Sequence, residues 1–242
     1  MKKTGLNAFQ IKLLMAFLML LDHLRFIHNF VSPETASFFT LISRCVAPMF
    51  GYLAVEGIRH SRDVKRYCLR LWVWAGIMFA GNTILNGVIR AYSQGVSGSE
   101  EIKLYLDDHI FFTLALAVLS IVLIQQGREK QGKGKWMYVL SGVCFIVGFL
   151  CEWGTVLLPF MFVEYFFREK RVIRFLGYVL IEIIAIFLPF GEPFYFLVLP
   201  FILLYNGERG PKTNFTKYFF YVFYCVHLWV IYSINFVVVM GG

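Results

Sequence analysis

A chain of 242 residues that is 59% hydrophobic, only 16% charged and +0.67 in mean hydropathy lies outside the range of soluble domains, which hold roughly 45–50% apolar and about 25% charged residues. Apolar runs follow one another from end to end, which leaves almost nothing for a soluble domain. The lack of an alternating ten-residue pattern argues against a β-barrel. The reading is an all-α, polytopic transmembrane bundle, and the formal net charge of +8 must be explained within it.

In chain order, the basic head "MKKTGLNAFQ" runs into an apolar stretch that shows no small-residue cleavage site. It reads as a retained first helix and not as a cleaved signal peptide. Apolar segments are expected near 8–30, 36–58, 70–90, 109–126, 136–151, 153–167, 174–190, 193–205 and 218–240. A full span needs about 20 residues. Several middle segments are shorter, so the expected total of nine spans carries a margin of one or two.

Lysine and arginine set the orientation. With the N-terminus in the cytoplasm, all of the 23 basic residues except Arg25, Arg44, Arg90 and Lys103 fall in 1–12, 56–70, 127–135, 168–174 or 206–217. These become the inside segments, as the positive-inside rule requires. The longest outside loop, "AYSQGVSGSEEIKLYLDDH", is mostly acidic. The net charge is therefore mostly topology, and nucleic acid is not an expected partner.

Charged groups at membrane depth are costly, and they mark functional sites. The first segment ends in "DHLRFIH", carrying Asp22, His23, Arg25 and His28. At about 1.5 Å of rise per residue, Asp22 and His23 lie roughly 20 Å from the cytoplasmic face. Arg44 and Asn82 are expected at a similar level, His109 and Glu152 at the outer surface, and His227 near the midplane. Asp22 has two possible partners, Arg25 on its own helix at i,i+3 and Arg44 on the next. Adjacent residues point about 100° apart on a helix, so Asp22 and His23 are expected to face different neighbours. Cys45, Cys68, Cys144, Cys151 and Cys225 show no CxxC spacing. They read as small buried residues, with no disulfide framework and no metal site.

Several stretches together are similar to one family: "LLMAFLMLLDH" at 13–23, "SRCVAPMFGYLAVEGIRHSRDVKRYCLRL" at 43–71, "HIFFTLALAVL" at 109–119, "CEWGTVLLPFMFVEY" at 151–165, "LYNGERG" at 204–210 and "YVFYCVHLWVI" at 221–231. In this order they resemble the TraX family of bacterial integral membrane proteins, named for a protein that acetylates the N-terminus of F pilin. The departures are small: Cys225 stands where a proline is expected, and Glu152 where Asp is more usual.

The resemblance implies one TraX-like acyltransferase domain over 1–242 in the bacterial inner membrane. Acetyl-CoA would be the acyl donor, and the amine of a membrane-associated peptide or lipoprotein the acceptor. His23 is then the first candidate for the general base, since imidazole titrates near neutral pH. Asp22 would orient it or hold Arg44. Arg44 or the Asn82 amide would stabilise the oxyanion. His227 is the second candidate, as base or as proton donor to the thiolate, and Glu152 would attract the cationic amine. Clustered cations suit the phosphates of coenzyme A, which singles out Arg62, Lys65, Arg66 and Arg70, with Asn206 and Arg209 as helpers. A transporter using the same Asp/His/Arg cluster, or a membrane scaffold using polar residues only for helix pairing, remains the alternative.

Overall fold

The computed structural model describes residues 4–93, 106, 109–129, 134–187 and 193–241. Most of the acidic loop, together with Lys2, Lys3, Lys103, Lys130 and Lys133, lies outside the described residues. The helices are α1 (Ala8–His23), α2 (Pro33–Ser43), α3 (Val46–His60), α4 (Val64–Ser93), α5 (Ile110–Glu129), α6 (Lys135–Phe149), α7 (Gly154–Phe167), α8 (Arg171–Phe187), α9 (Val198–Leu204) and α10 (Asn214–Gly241). No strand forms among the described residues; one isolated parallel bridge pairs Leu6 with Tyr205.

Local chemistry sets the helix starts. Asn7 and Gln10 form a reciprocal capping box at α1, satisfying two orphan amides at once. Ser32 caps α2, with Pro33 at its first position, where the missing N–H costs nothing. The Asp63 carboxylate accepts from the Arg66 amide at the start of α4. Thr213 and Thr216 exchange side-chain-to-amide bonds at α10.

Among the described residues, four helical stretches are long and apolar enough to cross a membrane: Pro33–His60, Val64–Tyr92, Ile110–Glu129 and Asn214–Met240. Three expected boundaries need correction. The first segment stops as an α-helix at His23, continues as a 3₁₀ turn over Leu24–Phe26, and then reverses through Asn29 at φ 55°. The second is two helices, because the chain leaves the α-helix at Arg44–Cys45. Pro48 then sits in the first turn of α3, where no donor is needed. The stretch 193–205 holds only a 3₁₀ turn and the seven-residue α9, too short to span.

The chain divides into two compact units. The first comprises 1–46, 76–108 and 203–242. In it α1 packs on α2 and α10 around the fully buried Ile11 and Met15, with Phe9 edge-on to Phe220. The segment 204–208 straps the N-terminal residues through bonds of 2.8–2.9 Å from Leu6 N–H to Leu204 O, Asn206 N–H to Leu6 O and Ala8 N–H to Glu208 O.

The second unit comprises 47–75 and 109–202. Here α5 packs on α6 and α7, and α7 on α8. Ser120 and Ser141 join α5 to α6 by reciprocal hydroxyl-to-carbonyl bonds of 2.9 Å. Such polar links replace hydrophobic driving force between helices in lipid. Gly148 admits Leu116 and Leu158 at close range. Large apolar side chains along α8, among them Phe175, Leu176, Leu180 and Phe187, are exposed, as a lipid-facing surface requires.

Candidate functional site

The first unit brings His23 and His227 into direct contact. His23 lies at the last position of α1 and His227 at mid-length of α10, both buried. His23 Nδ1 is 2.8 Å from His227 Nε2, and His227 Nδ1 is 2.8 Å from the carbonyl oxygen of Phe223. A carbonyl only accepts, so His227 Nδ1 carries a proton. In the neutral ring its Nε2 is then an acceptor, and the proton in the shared bond belongs to His23 Nδ1. The chain of bonds fixes both tautomers and leaves the basic lone pair of His23 on Nε2. Rings hold the pair in place. Phe223 stacks on His227 at 4.8 Å and Phe26 on His23 at 5.6 Å.

Asp22 points elsewhere, as the 100° offset predicts. Its Oδ1 accepts from Thr40 Oγ1 at 2.9 Å and pairs with Arg25 Nε at 3.3 Å. It ties the end of α1 to α2, and the ring of His23 is oriented by His227. Arg44 occupies the break between α2 and α3. Asn82, buried on α4, accepts from Trp229 Nε1 at 3.0 Å through Oδ1, so its Nδ2 is the donor end of that amide. This contact depends on Gly81: a Cβ there would clash with the Trp229 ring. Gly81→Ala is expected to destabilise the protein by about 1–3 kcal/mol through overpacking. Gly76→Ala and Gly87→Ala, where a Cβ meets open space, should be neutral or stabilising through helix propensity. Thermal unfolding in detergent separates the three.

Glu152, in the second unit, has its own employment. One carboxylate oxygen accepts from the His109 amide at 2.7 Å, the other from Trp153 Nε1 at 3.0 Å. Thr113 Oγ1 donates to its backbone oxygen at 2.8 Å. The charge sits at the N-terminus of α5, where the helix dipole favours it. The basic residues of that unit at the start of α4 are largely solvent-facing. Arg62 and Lys65 are exposed, Arg66 pairs with Asp63 at 3.0 Å, and Arg70 lies over the Tyr67 ring at 5.7 Å. Arginine and lysine at a helix N-terminus fit a phosphate. Asn206 is used in the N-terminal strap, where Oδ1 accepts from the Glu208 amide at 2.8 Å and Nδ2 reaches Gly5 O. Arg209 is close enough to Lys12 for their charges to repel.

Two groups of residues had no role in the sequence reading. One is Asn235, buried on α10, whose Oδ1 accepts the His28 amide at 2.9 Å. The other is a buried ionic network in the second unit. There Arg174 Nη1 meets both Glu164 oxygens at 3.2 and 3.3 Å, and the Tyr178 hydroxyl donates to Glu164. Glu56 pairs with Arg168 and, at 3.8 Å, with His60. A polar residue inside an apolar run was the available signal in each case: Glu56 in "YLAVEGI", Glu164 in "FMFVEYFF" and Asn235 in "IYSINFVVV".

The helices and their lipid-facing surface define an all-helical membrane protein, and its buried imidazole pair joins the first helix to the last. The chain belongs to the TraX family, whose profile, described as TraX protein, matches residues 8–235. It is also similar to the probable fimbrial assembly protein FimC, serogroup H1, of Dichelobacter nodosus. The two are 25% identical over 241 residues, covering 92% of this chain and 93% of the relative. No solved structure matches it.

Proposed function

We propose that this protein is a multi-pass acetyltransferase of the bacterial inner membrane. It moves an acetyl group from cytoplasmic acetyl-CoA to an amine, with the His23–His227 pair as its proton-handling centre and its N-terminus in the cytoplasm. The observation that carries the reading is the hydrogen-bonded chain from Phe223 O through His227 to His23. A buried imidazole pair with its tautomers fixed is costly to keep in a membrane interior and suits general-base catalysis. Family membership and the similarity to a fimbrial assembly protein favour the N-terminus of a membrane-associated, pilin-like peptide as acceptor.

In this reading the amine nitrogen attacks the thioester carbonyl carbon, and His23 Nε2 takes the proton that the nitrogen loses. The C–S bond breaks, the amide forms, and the proton passes from His23 to the departing thiolate. His227 holds the His23 ring and shares the positive charge through their common bond. Arg44 and Asn82 Nδ2 are the candidate donors to the oxyanion. Arg62, Lys65, Arg66 and Arg70 would hold the coenzyme A phosphates.

Incubating the purified protein with isotopically labelled acetyl-CoA and amine-bearing peptides tests this directly. Mass spectrometry should find the label on the α-amine; no labelled product from any amine acceptor overturns the reading. Arg66→Glu combined with Arg70→Glu should weaken coenzyme A binding at least tenfold by calorimetry. An unchanged affinity would assign those charges to topology alone.

A further inference from the structure

In the second unit the helices that face lipid are short. The exposed apolar face of α6 runs from Trp136 to Leu150, which are 81% and 80% exposed. At about 1.5 Å of rise per residue it covers roughly 21 Å. The exposed face of α8, from Val172 to Phe187, covers about 22 Å. The apolar run of α7, from Gly154 to Phe167, covers about 20 Å. The central helix agrees: α5 is apolar from Ile110 to Ile124, where Gln125 and Gln126 follow, again about 21 Å. The α6–α7 hairpin is fixed to α5 at both limits. Glu152 takes the His109 amide and the Thr113 hydroxyl at one end, and Gly134 packs on Gly127 at the other. Shortness is not general in this chain, since α10 runs for 28 residues.

The hydrocarbon core of a bilayer is about 30 Å thick, so these helices fall short by about 9 Å. Tilting only lowers the height a helix spans. A short apolar stretch is accommodated by side chains that reach out to the headgroups, by self-association or by thinning of the bilayer. The first route is open at one end only, where Lys135 and Arg171 start α6 and α8. At the other end the α6–α7 turn reads Leu150, Cys151, Glu152 and Trp153, and its one carboxylate is turned inward to the His109 amide. The second route would cover one face and leave another, because α6 and α8 both expose large apolar side chains along their whole lengths. Aromatic rings mark both limits, Trp136 at one and Trp153 edge-on to Tyr195 at the other, as they do at membrane–water interfaces.

We propose that the second unit thins the bilayer around it to a hydrocarbon core of roughly 21 Å. The partner that this surface fits is a membrane of short acyl chains. The proposal stands apart from the acetyl-transfer reading and does not depend on which end is cytoplasmic. It also places Glu152 and Trp153 at a headgroup level drawn inward, and not at the height of an unperturbed membrane surface.

Reconstitution of the wild-type protein in phosphatidylcholines with monounsaturated chains of 14, 16, 18, 20 and 22 carbons tests the proposal. The thermal unfolding midpoint should be highest at 14 or 16 carbons and fall by about 5–10 °C at 22. Lipids brominated near the headgroup should quench Trp136 and Trp153 strongly, and lipids brominated near the chain end only weakly. Each ring is read as the difference from its Phe variant. Leu150→Asn puts an amide at the drawn-in headgroup level and should leave the midpoint unchanged. Val143→Asn, about 10 Å deeper along α6, puts the same amide in hydrocarbon and should lower the midpoint by several degrees. A midpoint that ignores chain length, or that is highest at 18 carbons or more, would overturn the proposal. So would strong quenching of Trp153 by the deep bromines, which would put the hairpin tip inside hydrocarbon. Dimerisation that rises with chain length at a constant midpoint would overturn it too, by assigning the surface to a second copy.

Discussion

Replacing His23 with Gln should lower the rate of acetyl transfer by a factor of about 10²–10⁴, the usual contribution of a positioned general base, while the protein still inserts and folds. The geometry makes the effect asymmetric between the two imidazoles. His23 supplies the lone pair on Nε2, and His227 supplies only an acceptor for His23 Nδ1. His227→Gln places an amide oxygen where that acceptor is needed and should retain part of the activity. His227→Leu removes the acceptor and leaves a buried N–H unmade, at about 1–3 kcal/mol, so it should lose more. A parallel series at Asp22 should be milder. Asp22→Asn still offers Thr40 an oxygen and loses the charge facing Arg25. Equal rates in His23→Gln and wild type would remove the pair from the chemistry.

The second large effect belongs to stability. Glu164 is 0% exposed and lies between Arg174 and Tyr178, joining α7 to α8. Removing one member of a buried pair leaves the other as an uncompensated charge and costs about 3–5 kcal/mol. Glu164→Ala and Arg174→Ala should each produce a loss of that size in thermal or denaturant unfolding in detergent. The double variant should lose clearly less than the sum, because the second change removes the charge that the first had stranded. Additive losses would mean that the two groups do not act as a pair. His23→Gln should leave this unfolding transition in place, which separates the ionic network of the second unit from the proposed chemistry.

The physics of lipid made much of this fold legible. Long apolar runs with charge only at their ends can be little but helices: the expected segments at 70–90 and 218–240 lie within α4 and α10, and that at 109–126 starts one residue before α5. Boundaries failed where polar and turn-forming residues sit inside apolar runs. "DHLRFIHNF" has the hydropathy of a helix end, but Asn29 takes a left-handed conformation and the chain turns back toward Ser32 and Pro33. The break at Arg44–Cys45 is foreshadowed by Pro48, which in a continuous helix would leave the Arg44 carbonyl, four residues back, without its donor and clash with it, and which suits the first turn of a new helix.

Within the candidate site, the polar residues of α1, α4 and α10 stood out because each is expensive in a membrane. Their partners did not. That His23 meets His227 depends on how α1 and α10 pack, across more than 200 residues of chain, and no spacing in the sequence encodes it. Glu56 and Glu164 carried the same signal as Asp22. The nearby arginines, already explained by topology, concealed their pairing with Arg168 and Arg174.

The most direct test of the central claim is acetyl-CoA binding and thioester consumption measured side by side on detergent-purified wild type and His23→Gln, with an amine-bearing peptide present. Binding to both proteins, with free thiol released only by the wild type, is the predicted result: coenzyme A binding that does not depend on the catalytic imidazole. Binding to neither protein, or equal thiol release by both, would contradict it.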